Sequence, residues 1–229
     1  ARTIALGGAE YRIVILDEAD ALTADAQHAL RRTMETYSAT VRFILICNYS
    51  SKIIPPIQSR TAVFRFKALS ESDVKEFIQR IVKGEKLKID EAAVKAIIYL
   101  CEGDLRRAAN LLQAAAALGD KITESMIYEV ASQARPDDVK RMLESALKGR
   151  FKDAREILYK MLVMQGLAGE DVVREIHRQI YALNIPEDVK VRLVEAVGEC
   201  DFRISEGADS LIQLEALLAQ MATYGVKVK

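Results

Sequence analysis

The sequence has no tryptophan, and aromatic residues make up only 6% of its 229 residues. Proteins that bind single-stranded nucleic acid stack its bases on aromatic side chains, so this scarcity argues against such a platform. Lysine plus arginine and aspartate plus glutamate each number 33, which gives a net charge of zero. Bulk electrostatic attraction to DNA is therefore not expected, although zero net charge does not exclude a local basic face.

Cysteine is also scarce, since Cys47, Cys101 and Cys200 stand far apart in the sequence. No close pair exists to bind zinc, and an odd number does not fit a disulfide framework. We expect buried free thiols in a reducing compartment. No apolar run approaches the roughly 18 residues that span a bilayer, and no leader-type sequence opens the chain. These absences predict a soluble, cytoplasmic protein without a membrane partner.

Two short runs of β-branched and aromatic residues, Tyr11–Leu16 and Val41–Cys47, predict buried strands. Thr23 can cap a helix between them, because apolar residues recur after it at helical spacing. A strand, a helix and a strand in this order predict a parallel right-handed crossover. The run Thr61–Phe66, which follows the Pro55-Pro56 break, predicts a third strand.

After Lys67 the composition changes to helix formers, and no further strand is predicted. Ser70 with Asp73 predicts a capping box, and Pro136 and Gly149 delimit a later helix. The predicted helices run from about 71 to 82, 90 to 101, 104 to 118, 123 onward, 136 to 148, 152 to 164, 170 to 183, 187 to 199 and 203 to 224, the last being the longest. The charged residues of the later helices are interpreted as solvated faces. The predicted class is α/β followed by all-α, divided into residues 1–67, 68–133 and 134–229.

The segment Ile13–Asp20 reads IVILDEAD, an apolar strand followed directly by acids. Magnesium prefers oxygen ligands, so Asp17 at the strand tip could hold the ion while it bridges nucleotide phosphates. Glu18 could then orient and polarise the attacking water. The alternative is that both acids merely end a strand at the surface.

Four further polar residues belong to the candidate set. Asn48 follows the second strand and could position the water or touch a phosphate; the alternative is a turn residue. Arg60 offers a guanidinium fork that suits phosphate, or a surface salt bridge. Arg106 and Arg107 lie in the first turn of a helix, where the dipole disfavours cations and an anion nearby would explain them; a solvated pair is the alternative.

The order of these signals resembles the AAA+ clamp-loader ATPases, and within them the archaeal replication factor C small subunits. The resemblance covers the whole chain. ILDEADALTADAQHALRRTMETYS is similar to that family's acidic motif and the next helix, FILICNYSSKIIPPIQSR to its first sensor and arginine-finger segment, and GDLRRAANLLQAAAAL to its second sensor. It implies a partial AAA+ parallel-sheet core in 1–67, a small helical lid domain in 68–133 and a helical collar domain in 134–229.

By this resemblance Asp17 and Glu18 belong to the Walker B motif, Asn48 is sensor 1, Arg106 is sensor 2, and Arg60 is an arginine finger that reaches a neighbouring subunit. The family's serine-arginine-cysteine motif reads Ser-Arg-Thr here, with the arginine kept. Gln27 and either Arg31 or Arg32 match a helix near the subunit interface that couples DNA binding to the acidic motif. Arg2 sits where related proteins approach the DNA backbone.

A phosphate-binding loop of the form G-x-x-x-x-G-K-[ST] does not occur, since no Gly-Lys pair exists in the sequence. Either the chain is a fragment or its lineage lost the loop; the retained nucleotide-contacting residues favour a fragment. The chain alone is therefore expected to bind ATP poorly and not to hydrolyse it.

The resemblance implies ATP and Mg²⁺ as cofactors of the intact protein. It implies as partners small-subunit copies, a large subunit, the sliding clamp and primer-template DNA. The alternative function is a non-catalytic scaffold or oligomerisation subunit of the same assembly. A DEAD-box helicase would need a second α/β domain, which the helical remainder does not supply.

Overall fold

The computed structural model describes residues 11–225, and the chain divides into two compact units, Ala1–Lys67 and Ala68–Lys229. Within the described residues no helix is both long enough and apolar enough to cross a bilayer. The predicted class is confirmed, because a short parallel sheet is followed by helices. The division into three domains stays a prediction.

The first unit is a strand-helix-strand crossover with a short additional helix. Its elements are β1 (Arg12–Leu16), α1 (Ala24–Thr36), β2 (Val41–Leu45) and α2 (Pro55–Gln58). β1 pairs with β2 in parallel, with Leu16 opposite Leu45. Thr23 caps α1 as predicted, since its hydroxyl accepts a hydrogen bond from the amide of Ala26 at 3.3 Å.

One face of this sheet is covered and the other is open. Leu16 and Leu45 pack with residues of α1 and α2 around the buried Ile57. The opposite face carries four isoleucines, which alternate with the covered residues along the strands. They are Ile13, Ile15, Ile44 and Ile46, exposed by 63%, 60%, 46% and 49%.

The predicted third strand at Thr61–Phe66 is wrong. Residues 62–70 form neither helix nor strand, and Val63, Phe64 and Phe66 are 57%, 80% and 96% exposed. A strand is defined by hydrogen bonds to a neighbour, and among the described residues no segment pairs with this one. The β-type composition is present, but no paired strand forms.

The second unit contains nine helices and two very short strands among its described residues. They are α3 (Glu71–Gly84), β3 (Lys88–Ile89), α4 (Glu91–Cys101), α5 (Leu105–Ala116), β4 (Lys121–Ile122), α6 (Glu124–Ala131), α7 (Pro136–Leu147), α8 (Phe151–Tyr159), α9 (Gly169–Ile180), α10 (Glu187–Ser205) and α11 (Ser210–Gly225). A π-helical turn, Lys160–Met164, extends α8. The capping box of Ser70 and Asp73 is present, as predicted.

The two strands of this unit contradict the prediction that none follows Lys67. β3 and β4 pair in parallel over two residues, and the amide of Asp90 donates to the carbonyl of Ile122 at 3.1 Å. The carboxylate of Asp90 also lies 2.6 Å from Lys121 Nζ. A two-residue bridge between helices is too short to produce an alternating pattern, which is why the sequence does not reveal it.

The predicted last helix from Arg203 is also wrong. Arg203 lies in the last turn of α10, whose 19 residues exceed the 16 of α11. The chain breaks at Gly207, which has a φ of 93°, a conformation that glycine adopts readily. Asp209 then accepts from the amide of Ile212 at 2.9 Å and begins α11.

The described residues of this unit form two apolar clusters. One is formed by α3 to α6 and the other by α7 to α11. Cys101 and Cys200 are buried in them, as expected, whereas Cys47 in the first unit is partly exposed. Burial raises the pKa of the Cys200 thiol to about 11, so this thiol stays protonated at neutral pH.

Candidate functional site

The carboxyl end of the two-stranded sheet brings three of the predicted residues together. Asp17 and Glu18 follow β1 directly, and Asn48 follows β2 by three residues. The parallel register, with Leu16 opposite Leu45, directs both exits to the same edge. All three side chains are exposed. Ligands of open parallel sheets bind at this kind of edge.

Backbone hydrogen bonds fix the turn that carries the two acids. The amide of Ile46 donates to the carbonyl of Leu16, and the amide of Ala19 donates to the carbonyl of Ile46, both at 2.9 Å. Glu18 has a φ of 52°, a left-handed conformation that non-glycine residues adopt rarely. Such strain persists only where the surroundings enforce it, as these bonds do here.

Asp20 is a site residue that sequence reasoning missed. Its Oδ2 accepts a hydrogen bond at 3.3 Å from the amide of Tyr49, the residue after Asn48. The carboxylate therefore ties the chain beyond β2 to the acidic turn beyond β1. Its place in the DEAD run is the only sequence signal, and a contact across 29 positions has no local pattern.

Gln27 joins three segments at the same edge. It is 3% exposed, and its carboxamide nitrogen donates to the carbonyls of Leu22 at 3.1 Å and Lys52 at 3.0 Å. Its carboxamide oxygen accepts from the amide of Ile54 at 2.8 Å. The side chain thus fixes the loop that follows Asn48 against the start of α1. Its assignment to a subunit interface stays a prediction.

Arg60 lies away from the acidic turn. Its Nη2 atom is 2.8 Å from Glu35 Oε1, and its Nη1 donates to the carbonyl of Pro56 at 2.7 Å. Glu35 belongs to the last turn of α1, about 16 Å along the helix axis from the end near Asp17. Arg60 is therefore not part of the group formed by Asp17, Glu18 and Asn48.

Two of the remaining candidates, Arg31 and Arg32, lie on the same helix as Glu35. Arg31 Nη1 lies 3.6 Å from Glu35 Oε1, and Arg32 is exposed on the same helix. Arg2 lies outside the described residues. The choice between Arg31 and Arg32 as the coupling residue stays open.

Arg106 and Arg107 begin α5 in the second unit and are exposed. The Asp104 carboxylate accepts from their backbone amides at 2.8 and 3.1 Å and caps the helix. Its negative charge offsets the unfavourable placement of two cations at a helix N-terminus. Both guanidinium groups therefore remain at the surface, where they can meet an anion.

The residues present fit a magnesium-bound nucleotide in part. Two carboxylates and an amide supply oxygen donors of the kind that magnesium prefers. The sequence offers no glycine-rich cradle for the phosphates. Asp17, Glu18 and Asn48 would hold the metal and the attacking water, and the phosphate cradle would have to come from elsewhere.

Two family models and several known proteins match this chain. A family model described as the DNA polymerase III delta subunit matches residues 4–70, and one described as the replication factor C C-terminal domain matches residues 134–220. The replication factor C small subunit of Methanococcus maripaludis strain S2 is 54% identical over 221 residues, which cover 96% of this chain and 70% of that protein. The chain belongs to the replication factor C small subunit family.

A further member of the replication factor C small subunit family, from Thermococcus kodakarensis, is 56% identical over 225 residues. The match covers 98% of this chain but only 26% of that protein, so the chain spans about a quarter of the relative's length. Among solved structures, the DNA clamp loader delta protein YqeN of Bacillus subtilis aligns with a TM-score of 0.48 at 15% identity. That alignment covers 97% of this chain and 80% of YqeN.

Proposed function

We propose that this chain belongs to a clamp-loader small subunit. In a ring with further small-subunit copies and a large subunit, the intact protein uses ATP and Mg²⁺ to open a sliding clamp and close it around primer-template DNA. Membership of the replication factor C small subunit family supports this reading. The observation that carries it is the convergence of Asp17, Glu18 and Asn48 at one edge of a parallel sheet.

Each residue has a role that follows from its chemistry. Asp17 would hold Mg²⁺ directly or through water, and Glu18 would orient and polarise the attacking water. Asn48 positions that water or touches the terminal phosphate through its donor and acceptor. The guanidinium of Arg106, by its resemblance to sensor 2, would offer a positive charge to the nucleotide.

Arg60 acts on the nucleotide of a neighbouring subunit. Its guanidinium pairs with Glu35 in the last turn of α1, at the opposite end of that helix from the acidic turn. A guanidinium supplied in trans stabilises the charge that develops during phosphoryl transfer. This placement makes hydrolysis depend on assembly. Gln27, with Arg31 or Arg32, would transmit contact with DNA to the acidic turn.

A change at Glu18 tests the proposed chemistry. In the intact, assembled protein, Glu18→Gln keeps the size of the side chain and removes the base, so turnover should fall about 100-fold or more while ATP still binds. Glu85→Gln is the matched control, because Glu85 is an exposed acid that follows α3. Steady-state phosphate release and equilibrium ATP binding give the two readouts. Unchanged turnover in Glu18→Gln would remove Glu18 from the proposed site.

The chain alone should bind ATP weakly and should not hydrolyse it, because its sequence contains no phosphate-binding loop. The glycine amides and the lysine of that loop are the groups that hold the phosphates. Titration of a fluorescent ATP analogue with Mg²⁺ measures this directly. Micromolar affinity for the isolated chain would contradict the proposal.

A second candidate function is a non-catalytic scaffold, in which the helices after residue 134 form an oligomerisation collar. The match to the replication factor C C-terminal domain falls on these helices. Val191, Phe202 and Ile212 on α10 and α11 are 63%, 60% and 63% exposed, which is the kind of apolar surface that subunits bury. Light scattering tests this candidate, and a strict monomer at high concentration would weaken it.

A further inference from the structure

Helix α9 carries a buried carboxylate, that of Glu175, which is 3% exposed. The Tyr99 hydroxyl on α4 lies 2.9 Å from its Oε1 and 3.0 Å from its Oε2. The carboxamide nitrogen of Gln179 donates to Oε1 at 2.7 Å. A buried carboxylate without such donors would be strongly destabilising, so these bonds fix Glu175 and Tyr99 relative to each other.

Arg178, one turn later on α9, extends this contact to the next segment. Its Nη1 lies 3.7 Å from Glu175 Oε2, and its Nη2 pairs with the carboxylate of Glu102, the residue that follows α4. The guanidinium also lies over the Tyr99 ring, 5.5 Å from its centroid. We call Tyr99, Glu102, Glu175 and Arg178 the Glu175 cluster. It joins the end of α4 and the turn before α5 to α9.

The turn that the cluster holds is the one from which Arg106 projects. Glu102 and Gly103 have φ values of 50° and 86°, and Asp104 then caps α5. On its other side the turn meets the backbone of Leu69, since a Cβ on Gly103 would lie 2.8 Å from the Leu69 oxygen. The turn is thus fixed from two directions.

We propose that Glu175 and Arg178 are positioning residues for Arg106. They hold the turn Glu102–Asp104 against α9. The helices after residue 134 therefore determine the position of the Arg106 guanidinium. The role of Arg106 toward nucleotide rests on the function proposed above. The contact between α9 and the turn Glu102–Asp104 does not depend on the proposed function, and it can be measured in this chain alone.

Hydrogen exchange at the start of α5 tests the holding of the turn. The amides of Arg106 and Arg107 are bonded to Asp104 Oδ1, and the amide of Ala108 is bonded to the Asp104 carbonyl at 3.0 Å. Tyr99→Phe and Arg178→Met each remove a bond to a charged group, so exchange of these three amides should accelerate about tenfold.

Two further variants sharpen this measurement. Arg174→Met is the matched control, because Arg174 lies one turn earlier on α9 and forms ion pairs with Glu170 and Asp171 of the same helix. Arg174→Met should leave the three amides unchanged. Arg178→Lys keeps the positive charge and should restore most of the protection. Unchanged exchange in Arg178→Met, or equal acceleration throughout α3 to α11, would overturn the proposal.

Turnover of the intact, assembled protein tests the link to Arg106. If Arg178 acts through Arg106, then Arg178→Met should raise the KM for ATP or lower kcat in the wild-type background and add nothing to Arg106→Ala. Effects that multiply in the double variant would overturn the proposal. If Arg106→Ala leaves KM and kcat unchanged while Arg178→Met accelerates exchange, the nucleotide role of Arg106 fails and the holding of the turn stands.

Discussion

Arg60 Nη2 lies 2.8 Å from Glu35 Oε1, so the candidate arginine finger is paired within its own unit. Both side chains are about 40% exposed, at 42% and 41%. Surface pairs of this kind contribute about 1 kcal/mol or less, which means that a neighbouring subunit can draw Arg60 away at little cost. The pair keeps the guanidinium near the surface, where it can still bind another group.

Arg60→Ala should therefore separate stability from activity. We expect the free energy of unfolding to change by less than about 1 kcal/mol, because the pair is exposed. In the intact assembly, turnover stimulated by DNA and clamp should fall about 1000-fold while ATP binding stays nearly unchanged. Glu35→Gln breaks the same pair but keeps the guanidinium, so its turnover should remain close to wild type. Retained turnover in Arg60→Ala would remove the finger assignment.

Gln27→Leu should destabilise the loop after β2. The substitution leaves the carbonyls of Leu22 and Lys52 and the amide of Ile54 without their partner, at an expected cost of about 3 kcal/mol. Hydrogen exchange of the Ile54 amide reports on the loop directly, and it should accelerate strongly.

Gln113→Leu makes the same change at an exposed position of α5 and should leave both stability and the Ile54 amide unaffected. Urea unfolding followed by circular dichroism suits this chain, which has no tryptophan. Equal behaviour of the two variants would show that the Gln27 bonds are dispensable.

Gly103→Ala and Gly198→Ala should change stability in opposite directions. A Cβ on Gly103 would lie 2.8 Å from the oxygen and 2.9 Å from the nitrogen of Leu69, both backbone atoms, and its φ of 86° disfavours alanine. We expect a loss of about 3 kcal/mol in the free energy of unfolding.

Gly198 lies inside α10, and beyond its chain neighbours and the backbone of its own helix no atom lies within 4 Å of the added Cβ, so alanine should stabilise there by about 1 kcal/mol. Urea titrations of both variants beside the wild type provide the measurement. A neutral Gly103→Ala would mean that the chain at Leu69 moves aside freely.

The raised pKa of the Glu175 carboxyl should make the stability of the chain depend on pH. Burial raises the pKa of this carboxyl above its ordinary value of 4.5, against weaker opposing effects of Gln179, Tyr99 and Arg178. A raised folded pKa means that its stabilising contribution is complete below pH 4.5 and is lost as pH rises through the folded pKa. Glu175→Gln should therefore gain stability relative to wild type as pH increases above 4.5.

Two tyrosines and an arginine near Glu175 keep their protonation state between pH 4 and 8. The hydroxyls of Tyr99 and Tyr128 have raised pKa values, chiefly through burial, and the Arg178 guanidinium stays charged. The exposed Glu170 lies in the first turn of the same helix, so Glu170→Gln provides a control that removes a carboxylate of α9 outside the Glu175 cluster. Urea unfolding between pH 4 and 8 at constant ionic strength gives the curves. A difference for Glu175→Gln that does not change with pH would contradict the prediction.

Local signals in the sequence predicted much of this fold correctly. The runs around Val14 and Phe43 form the paired strands, and Thr23 and Ser70 cap the helices that they were expected to cap. These features depend on periodicity and on contacts within about four residues, which a single sequence displays directly. The convergence of Asp17 and Asn48 at one sheet edge follows from the crossover alone.

Features that depend on distant partners were not predictable. The run at Val63 and Phe64 has strand composition but meets no partner strand among residues 11–225. Glu175 looks like one more charge on a solvated helix face, yet it is buried because Tyr99, 76 positions earlier, supplies a hydrogen-bond donor. Pairing between remote residues leaves no periodic signal in the sequence.

The four open isoleucines of the sheet have a practical consequence for every measurement of assembly. The sheet exposes the side chains of Ile13, Ile15, Ile44 and Ile46 to water. Copies of the chain can associate through this apolar surface without any contact between their collar helices. Self-association of the isolated chain would then arise both from the exposed sheet face and from the helices after residue 134. Replacing Ile15 and Ile44 with threonine, which keeps β-branching and adds a hydroxyl, removes the sheet as a source and leaves the helices after residue 134 to account for any remaining oligomer.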